Sequence, residues 1–258
     1  AYRNMSTWWL STAFPFSSST LSHDDWILYW INTHNNSLIL FDRFKAENAN
    51  MCVFAKSWGW KSFAVKLEIL RSLMMWTDVI VVDPENEYKA LVDQVWWTYL
   101  DVSLNSWERI NPFDLPLALK DKETRPGDLL RDAIISLLWL MNLMLWKLSS
   151  LEQSVMEKAI ITTYNLKWLT LEDDNVEWKE IPTMKDLYSV LETMDWANDL
   201  VHRLEKYTTW IFSWVFSELT NIDLKEWLQV FSVRDLDDIL RPTAMYVILN
   251  YIWNRVRS

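Results

Sequence analysis

Glycine is nearly missing from this chain. Average usage near 7% would give about 18 glycines at this length; the 258 residues hold 2, Gly59 and Gly127. Cysteine is scarcer still, and the single Cys52 excludes an internal disulfide and a disulfide-built scaffold. Basic charge is also short, with 25 Lys and Arg against 35 Asp and Glu. The resulting net charge of −10 and isoelectric point of 4.8 argue against a general nucleic-acid binder. No run reaches the roughly 18 apolar residues of a membrane-spanning helix. The nearest, Ala133–Trp146, is interrupted by Asn142 and predicts a buried core helix rather than an interfacial one. The amino-terminal AYRNMSTWW has neither the apolar stretch nor the cleavage site of a secretion signal, and reads as the cut end of a longer protein. Half of the residues are hydrophobic, which excludes a disordered chain.

What is present in excess is tryptophan, 19 residues of it. Many stand where turns ask for glycine. Trp76 follows the helical stretch Phe63–Met75, a position usually left-handed and usually glycine. Trp96 and Trp97 separate a helical stretch, Lys89–Val95, from a strand-like one, Thr98–Val102. Trp107 falls in the turn Asn105–Glu108, and Trp168 and Trp178 bracket an acidic loop. A bulky side chain at positive φ costs about 1–2 kcal/mol. Some ten such sites would rival the whole stability of about 5–15 kcal/mol of a domain. The pattern predicts that most tryptophans occupy glycine positions. A sugar binder would instead cluster them on exposed strands. Trp253, in the amphipathic YVILNYIWNRV, reads as an ordinary core residue.

Ile27–Asn32 and Ser37–Phe44 predict a β-hairpin. Met51–Ala55 and Val79–Asp83 are continuous apolar runs of the buried, parallel-strand kind. With the helix between them they predict a βαβ unit. From about Leu115 to Leu204 the pattern is helical, with starts at Pro126 and at the capping-box sequence Thr183–Asp186. Leu228–Val233 returns to strand character, and a helix over Pro242–Val256 follows. The layout is α/β, an all-α insertion, then α/β again.

The chemistry centres on Ala55-Lys56-Ser57-Trp58-Gly59-Trp60-Lys61-Ser62. A phosphate loop reads G-x-x-x-x-G-K-[ST] between a buried strand and a helix. Lys61 and Ser62 match, while Ala55 and Trp60 replace the two glycines. In such a loop the backbone N–H groups wrap the phosphates at a helix start. Lys61 would reach the β and γ oxygens and the Ser62 hydroxyl would ligate Mg²⁺. Trp58 and Trp60 predict weak ATP binding, because the backbone must approach phosphate with no Cβ in the way. The second cluster, Asp83-Pro84-Glu85-Asn86-Glu87-Tyr88, ends the strand Val79–Asp83. It would orient water, accept a proton or support Mg²⁺, or else form a solvated acidic turn.

These segments together resemble the large ATPase of type IV secretion and conjugative transfer systems, the VirB/TraC type within the HerA/FtsK-like branch of P-loop motor ATPases. The resemblance is carried by AFPFSSST (13–20), INTHNNSLILFDRF (31–44), NANMCVFAKS with KSF (48–63), VIVVDPENEY (79–88), INPFDL (110–115), LQVFSVRDLDD (228–238) and AMYVILNYIWNRV (244–256). It implies an α/β, RecA-like nucleotide-binding core interrupted by an all-α subdomain. The implied division is residues 1–114 for the hairpin and first part of the core, 115–204 for the all-α subdomain and 205–258 for the return to the core. It also implies an ATP-hydrolysing motor at the cytoplasmic face of the bacterial inner membrane, energising pilus biogenesis and substrate transfer. ATP or ADP and Mg²⁺ would be its cofactors, and other inner-membrane secretion components and further copies, as a hexamer, its partners. Contact with nucleic acid is left undecided. By position, Ser57, Trp58, Gly59, Trp60, Lys61, Ser62 and Phe63 would line the nucleotide, Ser62 would hold the metal, and Lys61, Asp83 and Glu87 would be catalytic. The family's Walker B strand should follow the last helix, so the chain is expected to stop before it and before the arginine fingers. A second reading is a non-catalytic or altered fragment of that ATPase, retaining only fold or assembly surfaces.

Cys52 is expected to pack in the first core strand. His23, His34 and His202 lack metal-ligand spacing, and Asp235, Asp237 and Asp238 read as solvated or capping.

Overall fold

A computed structural model describes residues 27–56, 60–95, 98–103, 106–115, 126–170, 180–208, 216–222 and 227–257. The chain divides into two compact units, Ala1–Val79 and Ile80–Ser258.

In the first unit, β1 (Leu28–Ile31) and β2 (Leu38–Leu40) form an antiparallel hairpin. Its turn is shaped by short polar side chains: the Asn32 carboxamide accepts the His34 N–H, and Asn36 takes a left-handed φ of 56°. Helix α1 (Lys61–Met74) carries Glu68 and Arg71 one turn apart. The Tyr29 hydroxyl donates to Glu68 Oε1 at 2.9 Å and Arg43 pairs with the same oxygen at 2.8 Å. Arg71 binds the backbone carbonyls of Leu28 and Tyr29. These contacts fix the hairpin to α1. Burial and the Glu68 carboxylate push the Tyr29 hydroxyl up to about 12.

Met51–Ala55, expected as the first strand of a βαβ unit, is not one. Residues 51–56 are exposed coil, Phe54 is 90% exposed, and Cys52 is exposed rather than packed. An apolar run becomes a buried strand only when a neighbouring ladder takes its N–H and C=O groups, and neither sheet among the described residues includes this one.

The second unit holds a three-stranded parallel sheet in the order β3 (Val79–Asp83), β5 (Leu228–Ser232), β4 (Thr98–Asp101). Strand β4 pairs with β5 in the register Thr98↔Gln229 to Asp101↔Ser232. The central β5 is buried at every position, as a strand with neighbours on both edges and covered faces must be. Helix α2 (Lys89–Val95) connects β3 to β4. Between β4 and β5 come α3 (Pro126–Met144), α4 (Ser150–Leu166), α5 (Met184–Glu192) and α6 (Asn198–Thr208). Helix α7 (Arg241–Arg257) closes the unit. The helical core is largely apolar: Met141, Met144, Met156, Ile160, Tyr164, Leu187 and Leu204 are fully buried.

Two helix starts carry capping boxes, of which the sequence predicted the second. Ser149 and Glu152 form a reciprocal capping box on α4, and Asp186 accepts both the N–H and the hydroxyl of Thr183 at α5. The run 133–146 is a core helix on one side only. Leu137, Leu140 and Met141 are buried, while Ile135 and Trp139 are more than half exposed. Among the described residues no helix is long and apolar enough to cross a membrane.

All ten described tryptophans are exposed, from Trp227 at 38% to Trp196 at 83%. Five have left-handed backbone: Trp60, Trp76, Trp146, Trp168 and Trp196. Trp76 closes α1 as a glycine would. Its N–H bonds Leu73 O at 3.0 Å and the Thr77 N–H bonds Ser72 O at 3.2 Å, the paired bonds of a Schellman cap. Trp168 repeats this on α4, with Trp168 N–H to Asn165 O and Leu169 N–H to Tyr164 O. At the end of α3 the Lys147 N–H returns to Asn142 O across Trp146. Trp196 sits third in the turn Met194–Ala197, where positive φ favours glycine. Trp107 lies in a bend without positive φ. Trp253 is 59% exposed, not core: α7 buries Ala244, Val247 and Ile248 instead. Trp96, Trp97 and Trp178 lie outside the described residues, as does His23.

Candidate functional site

Ser57, Trp58 and Gly59 lie outside the described residues; the phosphate-loop pattern is described from Trp60 onward. Trp60 has φ 60° and ψ 16°, occupies the N-cap of α1 and makes no side-chain capping bond there. N-cap residues normally stay extended and lend an oxygen to the first turn. Here the left-handed backbone brings Trp60 O to the Ala64 N–H at 2.9 Å, so the helix starts cleanly while its first N–H groups gain no cap from this side chain. The indole lies edge-on to the Phe63 ring at 5.5 Å, and both rings are exposed. Lys61 is exposed and Ser62 half-buried, both in the first helical turn. Among the described residues Lys61 makes no ion pair.

The second expected cluster forms a tight turn at the carboxyl end of β3. Asp83 is buried, and both carboxylate oxygens accept backbone donors: Oδ1 the Glu85 N–H at 3.2 Å, Oδ2 the Tyr88 N–H at 2.9 Å. Tyr88 O in turn receives Leu91 and Val92 N–H, opening α2. Asp83 thus shapes the turn and starts a helix. Glu87 is exposed on the turn. Asn86 is left-handed, φ 57°, and its carboxamide oxygen accepts the Tyr99 hydroxyl at 2.6 Å.

Sequence reasoning missed the partners that surround this turn. Tyr99 and Asp101 stand on β4, with the Lys89 ammonium over the Tyr99 ring at 5.6 Å. Burial, then Asp235 and Glu108, raise the Asp101 carboxyl above its ordinary range, and Lys89 opposes them. Tyr88 and Tyr99 are raised as well, first by burial and then by neighbouring carboxylates, while the Ser232 hydroxyl lowers Tyr99. The only sequence signal was the strand-like character of Thr98–Val102, which does not say what its polar members face.

The INPFDL segment proves to be a junction. The Asn111 N–H donates to Thr220 Oγ1 at 2.6 Å, and the Thr220 hydroxyl donates to Asp114. The Asn111 carboxamide donates to Pro182 O and accepts from Phe113 N–H, and the buried Tyr164 hydroxyl donates to Phe113 O. Backbone and side-chain groups of residues 111–114 therefore join α4 and the approach to α5 with the segment leading to β5. Burial pushes the Asp114 carboxyl up to about 6 against the Thr220 bond. His34 and His202 are exposed, and no group of three metal-ligating side chains converges among the described residues.

No family model and no curated protein matches the chain. Among solved structures, VirB4 of Thermoanaerobacter pseudethanolicus is similar, with a TM-score of 0.78 and 25% sequence identity over 92% of this chain. The chain spans 65% of the length of that solved chain. The likeness and the parallel sheet with its flanking helices give this chain a VirB4-type α/β fold with a RecA-like core.

Proposed function

We propose that the chain is the nucleotide-binding part of a type IV secretion ATPase. The observation that carries this is the VirB4-type fold combined with a Lys61-Ser62 pair at the first turn of α1. The donor set suits a nucleotide phosphate: an exposed ammonium, a hydroxyl and the amide groups of a helix start. Trp60 keeps the left-handed backbone that a loop glycine would take, but adds an indole where the backbone should be bare. Lys61 would neutralise the β and γ oxygens of ATP or ADP, and Ser62 would hold Mg²⁺, which when bound supplies charge neutralisation to the transferred phosphoryl group. Residues 57–60 would line the phosphates through their backbone and Phe63 would border them. Asp83 would hold the acidic turn in shape, and Glu87, an exposed carboxylate on it, would orient water. Work at the cytoplasmic face of the bacterial inner membrane, hexamer formation and contact with other secretion components belong to the same proposal.

A second reading, an altered chain that keeps the fold without turnover, is favoured by one observation, the indole at position 60. Thermal unfolding with Mg-ATP separates the two, since a ligand that binds only the folded state raises its stability. The ATPase reading expects a shift that Lys61→Ala abolishes and that Trp58→Gly/Trp60→Gly enlarges. Absence of any shift in the parent and in the double glycine variant would reject it.

A further inference from the structure

We propose that the cleft between the end of α3 and α6 binds a small organic phosphate that carries a flat ring, with the phosphate at Lys206 and His202 and the ring on Trp146. The cleft lies wholly within the second unit and measures about 420 Å³, a size typical of small-ligand sites. Its walls are Met144, Leu145, Trp146, His202, Arg203 and Lys206. Half of these carry nitrogen donors, in a chain whose net charge is −10. Helical spacing gathers the donors on one side of α6, because His202 and Arg203 stand four and three residues before Lys206.

The carboxyl end of a helix presents bare carbonyls, which repel an anion. At the end of α3 they receive donors: Asn142 O the Lys147 N–H, Met144 O the Tyr207 hydroxyl at 2.9 Å, and Leu145 O the Arg203 guanidinium. Arg203 also pairs with Glu152 at 2.7 Å and Asp199 at 3.2 Å, so its charge is met and it braces the wall. Lys206 differs. Its ammonium stands over the Tyr207 ring at 4.7 Å, and among the described residues it forms no ion pair. Glu205, beside it in sequence, acts on the Tyr188 hydroxyl of α5. His202 is exposed and brings a ring N–H. Trp146 is 76% exposed and held by a left-handed backbone, φ 55°, in the turn after α3. An ammonium and an indole in one cleft suit the two parts of such a ligand: a point charge for phosphate, and a face on which a ring stacks.

Calorimetric titration of adenosine monophosphate, adenosine and inorganic phosphate into the full chain carrying Lys61→Ala tests this, since that substitution removes the site proposed at α1. Adenosine monophosphate should bind, and adenosine and phosphate should each bind about tenfold more weakly, as loss of a charged or a stacking contact requires. Lys206→Gln and Trp146→Gly, each added to Lys61→Ala, should weaken adenosine monophosphate about tenfold, and Trp146→Phe should retain most of its binding. Trp146→Gly also relieves a left-handed backbone, so binding lost there does not come from lost folding; circular dichroism checks the others. Trp196→Gly, at another exposed left-handed indole, should change nothing. No binding of adenosine monophosphate, binding unchanged by both Lys206→Gln and Trp146→Gly, or equal binding of adenosine or of phosphate overturns the inference. Co-sedimentation with phosphatidic acid vesicles in place of adenosine monophosphate binding also overturns it, by making the phosphate a lipid's. None of these outcomes bears on ATP at Lys61, which the thermal shift of the parent with Mg-ATP tests separately.

Discussion

Two turns of this molecule share one backbone conformation and fill it with opposite chemistry. Asn86, φ 57°, lies in the acidic turn after β3; Trp60, φ 60°, lies at the start of α1. Asparagine visits the left-handed region at small cost because its short polar side chain bonds locally, and at position 86 that side chain also receives the Tyr99 hydroxyl. Tryptophan gains nothing comparable. Its indole is 74% exposed and lies edge-on to the Phe63 ring at 5.5 Å. The backbone path is thus set by the surrounding fold, and the residue at the turn decides only how much that path costs. Trp76, Trp146, Trp168 and Trp196 share the left-handed backbone of Trp60, each more than three-quarters exposed.

The comparison breaks first, and most visibly, if that cost is removed everywhere. Replacing Trp60, Trp76, Trp146, Trp168 and Trp196 together by glycine should raise the unfolding free energy by about 5 kcal/mol, roughly 1 kcal/mol per site, since the sites are separate turns. Urea denaturation of parent and variant measures it. An unchanged midpoint would mean that indole contacts offset the strain.

Backbone strain is indifferent to pH, so a pH sweep sharpens the contrast by isolating the other unfavourable feature, the buried Asp114. Its carboxyl titrates at about 6 in the folded chain against an ordinary 3.8. The folded state therefore holds its proton more tightly. Asp114 detracts nothing below about pH 4, and stability falls as pH rises through 6, by about 3 kcal/mol in all. Glu152 and Glu218 are shifted the opposite way by their hydrogen-bonding partners, so the measured quantity is the difference between the parent and Asp114→Asn. That difference should appear between pH 4 and 6 and stay level above. A flat difference across the range would show that the Thr220 bond compensates for burial.

Transplanting the problem is the third test. Asn86→Trp places an indole at φ 57° and strips Tyr99 of its acceptor, and should cost about 2–3 kcal/mol. Tyr99→Phe alone should cost about 1 kcal/mol, so the remainder measures the strain.

What the sequence disclosed follows the same division between backbone and surroundings. The strand Val79–Asp83 was legible from its apolar continuity, and the start of α5 from Thr183 and Asp186, because both signals act within a few residues. Trp76 was legible as a glycine position for the same reason. Met51–Ala55 carried an equally apolar run and formed no strand, since a ladder needs a neighbour that local pattern cannot supply. Trp253 read as core from its period, yet α7 turns that face outward. At the candidate site, Asp83 was found by its place after an apolar strand. Its actual role, accepting two backbone N–H groups, needed the turn's geometry, as did the link from Asn86 to Tyr99.

The smallest expected effect is also the most direct probe of the opening comparison. Trp60→Asn gives position 60 the residue that position 86 already has, with no change of backbone demanded. It should stabilise the first unit by about 1 kcal/mol, because asparagine relieves the left-handed strain and can cap the first turn of α1. Trp60→Gly should stabilise by a similar amount, less what glycine loses in unfolded-state entropy. If asparagine exceeds glycine, the missing N-cap oxygen matters at this helix start as well as the strain. If the two are equal, strain alone accounts for the gain. If neither exceeds the parent, the Trp60–Phe63 contact is worth what the left-handed backbone costs, and position 60 is no weaker than position 86.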